Sequence, residues 1–150
     1  MGTGFTILIT DRNRHVRNFL RRELNQEGFI VEVATDGREV LRKINVDGPP
    51  DLLVLDLEIP HLGGLAILKR LQDHHPHLPV IIHTFPVEEA SHPSVQRVDA
   101  LVTKTGNTDC LKSAIKDVLR RRYSHRFAAA GDEELQEKPL TVALPRVFED

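Results

Sequence analysis

The sequence of 150 residues contains one cysteine, one methionine, one tyrosine and no tryptophan. A lone Cys110 cannot form an internal disulfide, so stability has to come from an ordinary apolar core in a reducing setting. Charge of one sign is also lacking: 20 basic side chains face 22 acidic ones, for a net charge of -2. Such a balance gives no overall attraction to nucleic acid or to an anionic membrane. No apolar stretch approaches the roughly 18 residues of a membrane span, the longest runs being LLVL and VII. The N-terminal MGTGFTILIT has neither the basic nor the long apolar segment of a secretory signal. The expectation is a cytoplasmic protein without direct contact to membrane or nucleic acid.

What is present is 40% hydrophobic and 28% charged residues, an ordinary globular composition at a length that fits one domain. Short β-rich runs alternate with stretches of helical spacing. The strand candidates are FTILIT (5–10), FIVEVAT (29–35), LLVLD (52–56), PVIIHT (79–84) and ALVT (100–103). Several lack polar alternation, as strands buried on both faces do. Val16, Phe19, Leu20 and Leu24 share one face of a first helix that Gly28 ends. Val40, Leu41 and Ile44 mark a second helix from near Gly37, and Leu65, Leu68 and Leu71 a third after Gly63 and Gly64. The fourth helical stretch carries Pro86 and Pro93 and is expected to be short or broken. Leu111, Ile115, Val118 and Leu119 predict a last helix from about Asn107 to Tyr123, capped by Asn107 or Thr108. Right-handed crossovers make this an α/β, doubly wound (βα)5 flavodoxin-like sandwich with a parallel five-stranded sheet of order 2-1-3-4-5.

Sites in such folds lie beyond the carboxyl ends of the strands. The first strand ends in Asp11, the third in Asp56, the fourth in Thr84 and the fifth is followed by Lys104. In this order Asp11 and Asp56 are neighbours with Lys104 and Thr84 alongside. Two adjacent carboxylates repel unless a cation or proton lies between them, and a hard ion such as Mg2+ is one solution. An aspartate can act as nucleophile toward a phosphoryl group, a lysine can neutralise the transferring oxygens, and a threonine hydroxyl can bond one of them.

Over residues 5–123 the segments ILITD (7–11), VRNFLRRELNQEGF (16–29), ATDGREVL (34–41), DLLVLDLEIPHLGG (51–64), PVIIHT (79–84) and ALVTK (100–104) resemble the receiver domains of two-component response regulators. The resemblance implies a receiver over 1–123, with 124–150 as a C-terminal tail and no separate output domain. It implies that Asp56 is the phosphoacceptor and that Asp11, Asp56 and the backbone carbonyl of Glu58 hold Mg2+. Thr84 would be the switch hydroxyl, Lys104 the phosphate contact, and Pro60 and Gly64 would shape the loop. The expected donor is a phosphohistidine on a sensor histidine kinase or phosphotransfer protein. Signalling would pass through protein contacts, with homodimerisation through the face of fourth helix, fifth strand and fifth helix, and the chain would not be an enzyme.

Two positions depart from the pattern that is resembled. Arg12 stands where a second acid is expected, which removes a direct metal ligand and weakens the expected hold on Mg2+. Leu101 occupies the place of an aromatic switch residue. Three roles are open to Arg12: a partner of Asp11 or Asp56, a solvated side chain, or a phosphate ligand in place of the metal. If the metal is lost, the chain is instead a pseudo-receiver, an interaction module that does not depend on phosphate. Because Thr105 follows Lys104 where proline is usual, that peptide bond is expected to be trans. His61, His74, His75, His77 and His83 read as surface residues without ligand spacing, and Cys110 as a small buried residue without chemistry. The tail, with Leu140, Val142 and Leu144 alternating, is open between a disordered end and an extended segment docked on a sheet edge or a partner.

Overall fold

A computed structural model describes residues 2–105, 107–129 and 146–148. The elements are β1 (Thr6–Thr10), α1 (Arg14–Gln26), β2 (Ile30–Ala34), α2 (Gly37–Asp47), β3 (Leu52–Leu55), α3 (Gly64–His74), β4 (Val80–Thr84), β5 (Ala100–Thr103), α4 (Asp109–Arg122), α5 (Ser124–Ala129) and β6 (Arg146–Phe148). All sheet pairings are parallel, in the order β2-β1-β3-β4-β5-β6. The expected order 2-1-3-4-5 is therefore present, with a sixth strand added from the tail.

The pleat explains why the central strands read as unbroken apolar runs. Successive side chains point to opposite faces, and both faces are covered. Ile7, Ile9, Leu52, Val54 and Ile81 pack under α1 and α4, against Leu20, Leu24, Ile115 and Val118. Leu8, Leu53, Leu55 and Ile82 pack under α2 and α3, against Val40, Ile44, Ile67, Leu68 and Leu71. Each such side chain contributes about 1.5–3 kcal/mol by leaving water.

Local signals set the helix ends. Asn13 caps α1, its Oδ1 accepting from the amides of His15 at 2.8 Å and Val16 at 3.3 Å. Asp36 caps α2 by accepting from the Glu39 amide at 2.9 Å, and the Glu39 carboxylate accepts from the Thr35 amide at 3.2 Å. Gly28, at φ 94°, turns the chain out of α1, a conformation that favours glycine. Asn107 rather than Thr108 supplies the side-chain bond at the start of α4, accepting from the Asp109 amide at 2.8 Å.

Between β4 and β5 the chain forms two 3-10 turns, Glu88–Ser91 and Val95–Arg97, in place of an α-helix. Pro93 drives His92 into extended backbone at ψ 142°, as a residue before proline prefers. Val95 and Val98 still anchor the segment to the core under α3. The helix expected as the fifth is thus α4. Beyond it, α5 is held at the base of the sheet, where the Arg126 guanidinium lies 3.8 Å from the Phe5 ring centroid and 3.1 Å from the Asp51 carboxylate. The tail strand β6 pairs with the outer edge of β5, Leu101 facing Val147, so an extended segment does dock on a sheet edge. The alternating Leu140, Val142 and Leu144 lie outside the described residues.

Candidate functional site

The carboxyl ends of β1, β3, β4 and β5 bring four of the expected side chains to one rim. Asp11 and Asp56 are both 1% exposed. The Lys104 ammonium stands between them, 2.6 Å from Asp11 Oδ2 and 2.8 Å from Asp56 Oδ2. The Thr84 hydroxyl lies 3.5 Å from Asp56 Oδ1, a long contact, and Thr84 is itself buried. Lys104 is fixed from behind by its amide, which donates to the Thr84 carbonyl at 2.9 Å. Its ammonium also sits 5.4 Å from the centroid of the Phe85 ring.

Backbone groups orient the acids. Asp11 Oδ1 accepts from the Asn13 amide at 2.8 Å, and Asp56 Oδ1 accepts from the Glu58 amide at 3.0 Å. The Asp56 amide donates to Thr10 Oγ1 at 3.2 Å, which ties β3 to β1 at the site. The loop after Asp56 is held close by glycines. A Cβ at Gly64 would come within 2.5 Å of the Leu57 Cα, and one at Gly37 within 2.5 Å of the His61 carbonyl oxygen. The loop itself is strained, with His61 and Leu62 at φ 51° and 54°, a region that disfavours residues with a Cβ.

Arg12 takes none of the inward positions. Its guanidinium lies 3.5 Å from the Glu58 carboxylate, on the exposed side of the pocket. A pairing of Arg12 with Asp11 or Asp56 is therefore not what forms; Lys104 holds both of those acids. The reason is geometric as well as electrostatic, because Asp11 ends a buried strand and Arg12 begins the exposed turn toward α1. Leu101 sits in mid-β5, opposite Ile82 and packed under the α3 side. No cis peptide bond occurs among the described residues, so Lys104 to Thr105 is trans as expected.

The donor set suits a hard cation in part. Two buried carboxylates face one ammonium, which leaves a net negative charge in a buried place. Asp11 Oδ2 accepts no directed hydrogen bond; its contact with Lys104 is one of charge alone, so this oxygen has capacity for a further ligand. Against this, no group of three or more His, Cys, Asp or Glu side chains is placed to hold a metal among the described residues. The side-chain ligands available are Asp11 and Asp56, with the Glu58 carbonyl as the backbone candidate.

One residue near the site escaped the sequence reading. His83 was expected at the surface with the other histidines, but it is buried in β4, 8% exposed. Burial pushes its pKa down to about 4, the Lys104 charge adds to that, and Asp11 and Asp56 oppose it in part. The signal was available: VIIH is a run in a central parallel strand, where both faces are covered. His61, His74 and His77 are exposed as expected, while Cys110 is half-buried against the α1 and α4 side of the core.

A family model described as the response regulator receiver domain matches residues 7–116. The chain belongs to this family. Over 143 residues the receiver is 31% identical to the transcriptional regulatory protein TrcR of Mycobacterium tuberculosis, covering 94% of this chain and 54% of that protein. It is 44% identical over 78 residues to the response regulator MprA of Mycolicibacterium vanbaalenii, covering 52% of this chain and 33% of that protein. The chain thus spans about a third to a half of the length of these relatives. Among solved structures, the response regulator TrrA of Thermotoga maritima in complex with Mg2+-BeF superposes with a TM-score of 0.72 at 31% identity, covering 77% of this chain and 99% of that one. TrrA in complex with the histidine kinase ThkA gives a TM-score of 0.70 at 31% identity, covering 77% and 98%. A CheY-like receiver of Methanospirillum hungatei gives 0.74 at 27% identity, covering 81% and 98%. The receiver therefore has the flavodoxin-like α/β fold of two-component signalling, and no described helix is long and apolar enough to cross a membrane.

Proposed function

We propose that this receiver is a signalling switch that accepts a phosphoryl group on Asp56 from a phosphohistidine on a sensor kinase or phosphotransfer protein. The observation that carries the reading is the buried convergence of Asp11, Asp56 and Lys104, with one ammonium 2.6 and 2.8 Å from the two carboxylates. An Asp56 carboxylate oxygen attacks phosphorus, the new O–P bond forms as the donor N–P bond breaks, and the electron pair returns to the donor imidazole. Lys104 neutralises charge on the transferring oxygens, and the Thr84 hydroxyl, now 3.5 Å from Asp56, moves onto one of them. Asp11, Asp56 and the Glu58 carbonyl would hold Mg2+, which when bound supplies positive charge to the phosphoryl oxygens. The Mg2+-BeF complex of TrrA and the ThkA complex support the metal and the kinase partner. The chain acts as a switch rather than an enzyme, in the cytoplasm, with output through protein contacts and not through direct nucleic-acid binding. The dimer face expected of the family would here be built from the 3-10 turns, α4 and β6, since β6 covers the outer edge of β5.

A second reading has its own support. With Arg12 turned to Glu58 and two buried acids in the pocket among the described residues, the metal site is poor, and a pseudo-receiver that binds partners without phosphorylation uses the same fold. Incubation with acetyl phosphate and Mg2+ followed by intact mass separates the two. A single phosphate adduct that Asp56→Asn abolishes supports the switch; no adduct with any divalent metal supports the pseudo-receiver.

A further inference from the structure

At the end of the sheet where β1 and β2 begin, the opposite end from the two buried carboxylates, the chain forms a half-open pocket of about 410 Å3, a volume within the roughly 300–1,000 Å3 of small-molecule sites. Three buried core side chains, Phe5, Phe29 and Leu119, give it apolar surface. Phe5 and Phe29 lead into β1 and β2, and Leu119 comes from the last turn of α4. Its walls are tied in place. The Thr3 amide and hydroxyl both donate to the Gly28 carbonyl, at 2.8 and 3.2 Å. The Arg126 guanidinium lies 3.8 Å from the Phe5 ring centroid, with its nitrogens taken by the Asp51 carboxylate at 3.1 Å and the Gly4 carbonyl at 3.0 Å.

The charge around this pocket is one-sided. Lys116, Arg120 and Arg126 line it, against the single acid Glu27. Lys116 is held by Glu27 at 2.6 Å and Arg126 by Asp51, while the neighbouring Arg121 and Arg122 of α4 are held by Asp117 and Asp99. Arg120 forms no ion pair among the described residues. It also stands four residues after Lys116 on the same helix face, a spacing at which like charges repel. An anion placed at Arg120 would relieve that repulsion and give the guanidinium the partner that its neighbours already have.

We infer that this pocket binds a small monocarboxylate with an apolar body, which lies on Phe5, Phe29 and Leu119 while the carboxylate takes the Arg120 guanidinium. A guanidinium presents two parallel N–H donors that match the two oxygens of a carboxylate, and removal of the apolar body from water supplies the rest. One unpaired cation beside Glu27 suits one negative charge. The site uses none of Asp11, Asp56, Thr84 or Lys104, so it stands whether or not Asp56 is phosphorylated.

Octanoate and 2-naphthoate, a chain and a ring, are the probes. The full chain, labelled with 15N and without acetyl phosphate or metal, is titrated with each. Saturable amide shifts are expected at Thr3, Phe29, Leu119 and Arg120, and the tighter of the two probes tells a chain-shaped ligand from a ring-shaped one. Acetate, which lacks the apolar body, and octanol, which lacks the charge, should each bind at least about tenfold more weakly than octanoate. Arg120 is exposed, so its replacement leaves the core intact. Arg120→Met keeps an unbranched stem and should weaken binding about tenfold, Arg120→Glu should abolish it, and Arg42→Met, at an exposed cation of α2, should change nothing. Shifts that do not saturate, that survive Arg120→Glu, or that octanol produces as readily as octanoate would overturn the inference; the last is what a bare apolar surface for a protein partner would give.

Discussion

The ammonium between two buried carboxylates makes a prediction whose sign, not only its size, is fixed by the geometry. Asp11 Oδ2 and Asp56 Oδ2 both touch Lys104 Nζ, at 2.6 and 2.8 Å, so they lie within roughly 5 Å of one another, where an effective dielectric near 20 gives a repulsion of about 3 kcal/mol. Lys104→Met keeps the apolar stem and removes the charge, and stripping one partner from a buried ion pair destabilises by about 3–5 kcal/mol. Asp11→Asn has opposite effects in the two backgrounds. In the native chain it breaks the 2.6 Å contact and should lower stability by about 2 kcal/mol. In the Lys104→Met chain it removes only the repulsion and should raise stability, by up to about 3 kcal/mol. Urea unfolding of the four proteins at neutral pH and low salt, without divalent metal, measures all sides of this cycle. If Asp11→Asn destabilises both backgrounds by the same amount, the two acids do not share Lys104 and the account of the site is wrong.

Other outcomes follow from the same structure. His83 is neutral in the folded chain, with its pKa pushed down to about 4 by burial from an ordinary 6.5; the unfolded chain takes up that proton first, so stability falls as pH drops from 6.5 toward 4, by about 3 kcal/mol in total. Urea titrations across that range should show the slope, and His83→Leu should remove it. Arg12→Asp places an acid beside Asp11 and frees Glu58 from its 3.5 Å partner, and should tighten Mg2+ binding at least about tenfold, or 1.4 kcal/mol, by calorimetry; an unchanged affinity would count against Arg12 as the weakness of the site. A chain ending at residue 145 lacks β6 and should lose amide protection in Ala100–Val102 of β5 while β1 and β3 keep theirs.

The sheet order and the four rim residues were legible because each rests on a local pattern. Unbroken apolar runs marked the buried strands, and a polar residue at the end of each run, Asp11, Asp56, Thr84 and Lys104, fell at the rim once the order was known. Arg12 was not legible in the same way. Sequence placed it next to the acids, but only the turn after β1 decides that its long side chain leaves the pocket for Glu58. His83 was misread by association with the exposed histidines near it, although its own strand has both faces covered. The break in the fourth helix followed from Pro86 and Pro93, whereas the two 3-10 turns depend on Val95 and Val98 reaching the core. The pairing of β6 joins residues some 45 positions apart along the chain, and no short-range pattern specifies it.

The central claim is that Asp56 is the residue that takes the phosphoryl group. Borohydride reduction of the chain after incubation with acetyl phosphate and Mg2+ converts an acyl phosphate to the corresponding alcohol, and tandem mass spectrometry locates it. The account predicts modification at Asp56 alone, absent without Mg2+ and strongly reduced in Lys104→Met. Modification at Asp11 or elsewhere, or none under any divalent metal, would contradict it.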